Sequence, residues 1–125
     1  MSRHGNPGQR IAVLGGRHEF EVRTLEQSQE SFTVRYSITP PLPDDRTPLA
    51  QPVYMWLEAV DDLGNRYTDF GGARGISPDG SRTEGSLSAQ PAAAAGSRSL
   101  TVRLVFMSGA DESGYDLTIP LPSKP

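Results

Sequence analysis

"VYMWLEAVDDLGNRYTDF", residues 53–70, decides the fold. Its first ten residues, 53–62, are too apolar on both parities for a strand with one wet face. Met55, Leu57, Glu58 and Ala59 suit a helix. Val53, Tyr54, Trp56 and Val60, with a proline just before them, suit a strand. We read a strand, central in its sheet and covered on both sides for part of its length. "DDLGN", 61–65, then supplies turn chemistry. Aspartate accepts bonds from backbone N–H groups two residues on, and Gly64 or Asn65 takes a positive φ cheaply. "RYTDF", 66–70, is the return strand of the hairpin.

Upstream, "RHEFEVRTLEQ" alternates, with Phe20 and Val22 on one face and Arg17, Glu19, Glu21 and Arg23 on the other. "SFTVRYSIT", 31–39, places Phe32, Val34, Tyr36 and Ile38 inward. Period 2 is the mark of a half-buried strand, and the two segments form an antiparallel hairpin. "RIAVL", 10–14, is a short apolar run. "PPLPDDRTPLAQP", 40–52, holds five prolines. Proline lacks a ladder donor, so this is a stiff connection long enough to cross between sheets.

Downstream, "GGARGISPDGSRTEG", 71–85, shows no period and reads as a long glycine-rich loop. "SLSA" is a brief strand, and "QPAAAAG", 90–96, could form one helical turn. "RSLTVRLVFM", 98–107, sends Leu100, Val102, Leu104 and Phe106 inward. After a turn over "SGADESG", "YDLTIPL", 115–121, does the same with Tyr115, Leu117, Ile119 and Leu121. The expected architecture is all-β, an antiparallel sandwich of seven to eight strands over residues 10–121. A small closed barrel is the alternative. Residues 1–9 form an N-terminal arm and 122–125 a tail.

Composition narrows the function classes. The 125 residues suit one domain, and 13 glycines with 11 prolines favour short elements joined by turns. Cysteine is absent, which excludes disulfides, thiolate nucleophiles and Cys-ligated zinc. A net charge of −3 argues against a nucleic-acid binder. The start "MSRHGNPGQR" has no apolar run after its charges, and no stretch is long enough for a membrane helix. A cytoplasmic site is expected for the chain as given, and an extracellular one if it is cut from a longer precursor.

The acidic turn is the first candidate site. Asp61, Asp62, Asn65 and Asp69 could ligate calcium, with Asp79 joining from the next loop, but they supply few of the six to eight oxygens needed, and the alternating calcium-loop pattern is missing. Turn-forming accounts for the same residues. Adjacent Asp61 and Asp62 point to opposite faces and make no catalytic pair. Glu58, on the apolar strand beside Trp56, is a candidate single acid of a small hydrolase, as is Asp69, but no nucleophile–base pair is visible; the competing reading is that Glu58 faces solvent or pairs with an arginine of a neighbouring strand. His4 and His18 lack zinc spacing, no Ser-His-Asp set is indicated, and "GGARG" lacks the residues of a phosphate loop. The charged face with Arg17, Glu19, Glu21, Arg23, Arg35 and Arg103 reads as a solvated sheet.

The Asp61-x-x-Gly64-x-x-Tyr67 strand end, Pro91 and the Leu100-x-Val102-x-Leu104 strand resemble those of immunoglobulin-like sandwich domains from actinobacteria and other Gram-positive bacteria. The resemblance spans most of residues 10–121 and implies a fold and a non-enzymatic module, with no catalytic residue and no cofactor to carry over. The function expected is an interaction or accessory module, a monomer or weak homodimer. It binds a protein partner through segments 40–52 and 71–85 or through an exposed sheet edge. The alternative is a carbohydrate- or calcium-binding module with Trp56, Tyr54 and Tyr67 as stacking rings.

Overall fold

The computed structural model describes residues 9–43 and 52–121. Most of the expected arm (1–8), residues 44–51 of the proline segment and the tail (122–125) lie outside the described residues. Eight strands follow one another: β1 Arg10–Val13, β2 His18–Gln27, β3 Phe32–Thr39, β4 Val53–Asp61, β5 Arg66–Ile76, β6 Thr83–Gln90, β7 Ser99–Ser108 and β8 Asp111–Pro120. Every pairing is antiparallel, in the order β1-β2-β3-β6-β5-β4-β7-β8. No helix occurs among the described residues. Residues 53–61 therefore take the strand reading, with Asp62 already in the turn, and the fold is all-β.

The sheet curls until its two edges almost meet. Gln9 Nε2 donates to the Thr118 carbonyl at 2.8 Å, and the Leu14 N–H donates to the Tyr115 hydroxyl at 2.8 Å. Side chains rather than a ladder bridge the β1–β8 seam, so the sheet is nearly closed like a barrel. One core fills the inside. Phe20, Val22, Phe32, Val34, Tyr36 and Ile38 face it from β2 and β3, and Leu57, Leu100, Val102, Leu104, Phe106, Leu117 and Ile119 face it from β4, β7 and β8. Phe20 stacks on Tyr36 at 5.0 Å between centroids, and Phe106 meets Tyr115 edge-on at 5.8 Å. A fully buried residue such as Leu57 contributes roughly 2 kcal/mol by transfer from water.

Several expectations about the second half are corrected. Residues 71–85 are not one long loop: 71–76 continue β5, 83–85 begin β6, and only 77–82 connect them. Asp79 organises that connection, accepting from Ser77 Oγ and Ser81 Oγ at 2.7 Å each and from the Ser81 N–H at 3.0 Å. β6 spans eight residues rather than four. The alanine run forms no helical turn. The turn over "SGADESG" shrinks to Gly109-Ala110, because Ser108 already pairs with Asp111.

The decisive feature is what β5 does. It begins beside β4, where Ala59 pairs with Tyr67 and Val60 with Arg66. The register then shifts between Asp69 and Gly71, placing Phe70 in a bulge. From there β5 runs along β6, from Gly71–Ser88 to Ile76–Thr83. Bulges bend a strand and sharpen its twist. β5 thus turns away from β4, and the sheet splits open between them.

Candidate functional site

The acidic turn is built as a structural knot. Asp61 ends β4 and is 5% exposed. Its Oδ1 accepts the N–H groups of Leu63 (2.9 Å) and Asn65 (2.8 Å). Its Oδ2 accepts Asn65 Nδ2 (3.0 Å) and the Tyr67 hydroxyl (2.7 Å). The Tyr67 oxygen in turn accepts the Ala94 N–H at 2.9 Å. Gly64, with φ 89°, allows the chain to turn within this cage. Burial opposes the charge on Asp61, but the bonds from Asn65, Tyr67 and Leu63 outweigh it, and its pKa lies below the ordinary 3.8. Burial raises the Tyr67 phenol, with the Ala94 N–H working against it and Asp61 adding to the rise.

Asp62 points the other way. Its Oδ1 accepts the N–H of Arg98 at 2.8 Å and of Ser99 at 3.4 Å, which pins the turn to the start of β7. Asp69 serves β4: Oδ2 accepts the Leu57 N–H at 3.0 Å, and Oδ1 accepts the Gly71 N–H at 2.9 Å. The four calcium candidates are thus spread over three separate tasks. Among the described residues, no three His, Asp or Glu side chains gather to hold a metal.

Nor do the stacking candidates form one platform. Tyr67 is 5% exposed, with its ring edge-on to Phe32 at 5.3 Å, so it offers no face to a ligand. Trp56 is half-buried on the outer face beside its β7 partner Val105. Tyr54, 61% exposed, stands free on the same face, and the bulge residue Phe70 is 59% exposed. Glu58 is exposed and lies opposite Arg103 on β7, whose guanidinium reaches Asp116 of β8 at 3.5 Å.

The split between β4 and β5 is a cleft of about 630 Å³. Tyr54 and Met55 of β4 line it, with Asp69, Gly72 and Arg74 of β5, Tyr36 of β3, and Pro43 and Pro52. Alternate residues of β4 aim their backbone groups at β5. Asp61 bonds to Asn65 on that side, and Leu57 to Asp69. Val53 and Met55 share that parity. From Val53 to Glu58, no described strand pairs with this edge of β4.

Three side chains reach across instead. Asp69 takes the Leu57 N–H. The Tyr36 hydroxyl donates to Met55 Sδ at 3.6 Å. Arg74 Nη2 donates to the Val53 carbonyl. Burial pushes the Tyr36 phenol up to about 12, with the Arg74 charge pulling it back. The sequence concealed this arrangement. Arg74 stood in an apparent loop, and Tyr36 looked like plain core. The signal was the glycine content of 71–75, which strips that stretch of the side chains that reveal a strand.

Neither a protein-family model nor a curated protein matches the chain. Among solved structures, it is similar to the crystal structure of the conserved domain protein from Bacillus anthracis, with a TM-score of 0.61 at 17% identity. The match covers 97% of this chain and 48% of that one. This chain therefore spans about half the length of its structural neighbour. At that identity the likeness shows the fold alone.

Proposed function

We propose that the domain is a non-enzymatic interaction module that binds a segment of a protein partner at the cleft between β4 and β5. One observation carries this reading: among the described residues, β4 has no ladder partner on its β5 side from Val53 to Glu58, and that edge faces a cleft flanked by exposed Tyr54. Exposed aromatics beside a concavity are the usual anchors of protein recognition. The cleft also replaces the loop surface expected over 71–85, because its β5 wall is made of residues 71–74.

The same proposal takes the fold to be an immunoglobulin-like sandwich. The strand order supports it: β2-β3-β6-β5 lie beside one another, as do β4-β7-β8. That matches the two sheets of a constant-type domain, with β1 as an added edge strand.

A photo-reactive residue at position 54, in the protein expressed in its native host, tests the reading. It should cross-link to a protein, while the same residue at position 19, on the outer face of β2, should not. Equal labelling from both positions, or none from 54, overturns the proposal. The second reading, carbohydrate stacking, rests on Tyr54 and Trp56 sharing the outer face of β4. Glycan binding that is lost on Tyr54→Ala, with no protein cross-link, would favour it.

A further inference from the structure

Resting on that reading, we infer that the partner segment binds as an added β-strand along the β4 edge and carries an acidic side chain that Arg74 receives. Asp69 and Arg74 already imitate such a strand. A neighbouring strand offers a carbonyl to one β4 group and an N–H to another, in alternation. Here a carboxylate oxygen stands where the carbonyl belongs, on the Leu57 N–H, and a guanidinium stands where the N–H belongs, on the Val53 carbonyl. The two bonds lie four residues apart on one parity of one edge. They hold its polar groups without filling the space, and the cleft beside them is large enough for an extended backbone.

Charge selects the occupant. An incoming strand that takes the Val53 carbonyl releases the Arg74 guanidinium into the cleft. Among the described residues, no carboxylate lies in ion-pair range of Arg74. Asp69, the other charged residue lining the cleft, has both oxygens bonded to backbone N–H groups. A released guanidinium is best met by a carboxylate through paired charge-assisted bonds. Main-chain bonds then supply affinity and the acidic position supplies selectivity, as in other strand-addition sites.

A display library of random heptapeptides, selected on the purified full chain, tests the inference. Selected peptides should share an Asp or Glu. They should slow hydrogen exchange at the Val53 and Met55 amides. Affinity should fall about tenfold or more for Arg74→Gln, the loss of a charged hydrogen bond. The exchange readout on the unmodified protein keeps the test sharp if Arg74→Gln folds poorly. Selection of nothing, of peptides without an acidic position, or of peptides that leave those amides unprotected overturns the strand-addition mode. A position-54 cross-link to a protein would survive that result, so failure of the mode and failure of the interaction reading are distinguishable.

Discussion

Tyr67 donates its phenol to Asp61 at 2.7 Å, and both residues are buried. This bond joins the end of β4 to the start of β5 while the same phenol oxygen holds the Ala94 N–H. The pair thus ties the hairpin to the connection between β6 and β7.

Replacing either partner should measure that tie. Tyr67→Phe leaves the ring against Phe32 and removes two hydrogen bonds, an expected loss of about 1–3 kcal/mol. Asp61→Ala strands two backbone N–H groups and the Tyr67 hydroxyl, and should cost about 3 kcal/mol or more. Urea unfolding reads both, and the double variant should cost less than the sum. Strict additivity would show that the two residues do not act as a unit.

Acid should destabilise the fold through the same residue. The folded pKa of Asp61 lies below 3.8, so its contribution is present above that value and drains away as pH falls through the folded pKa. Asp79, held down to about 2 by Ser77 and Ser81, adds a loss in the same direction. Asp61→Asn should flatten the stability curve below pH 4, and a curve of unchanged steepness would contradict the role given to Asp61.

Base should act through Tyr36. Its pKa is raised from 10 to about 12, so the stability linked to it is whole below pH 10 and is lost as pH climbs toward 12. Tyr36→Phe should remove that alkaline loss in a melting series from pH 8 to 12. The variant also gives up the bond to Met55 Sδ, so it should start slightly less stable at neutral pH.

Gly85 sits under the same ring. A Cβ there would lie 2.5 Å from the Tyr36 hydroxyl and 2.7 Å from the Ala73 carbonyl. Gly85→Ala should therefore cost about 1–3 kcal/mol through overpacking, read as a drop in melting temperature. Tyr36→Phe should recover only part of it, because the Ala73 backbone remains in the way.

The sequence was readable where side chains alternate and opaque where they are missing. Phe32, Val34, Tyr36 and Ile38 announced β3, and Leu100 to Phe106 announced β7, because each buried position carries a large apolar group. In β2 the alternation held through Val22 and then slipped, since the bulge between Val22 and Thr24 brings Leu25 rather than Thr24 inward. β5 and the start of β6 hid behind Gly71, Gly72, Gly75 and Gly85, which leave a strand without a patterned face. The acidic turn was legible as a turn, since aspartate beside glycine does local work. The cleft was not, because it exists only where β5 abandons β4 for β6, a choice made by contacts far apart in sequence.

Amide hydrogen exchange along β4 of the free protein tests the open edge most directly. Tyr54, Trp56 and Glu58 face β7 and should exchange slowly. Val53 and Met55 face the cleft and should exchange fast, with Leu57 slow in the unmodified protein and fast in Asp69→Ala. Uniform protection from Val53 to Glu58, unchanged by Asp69→Ala, would contradict an edge that ends its ladder at Ala59.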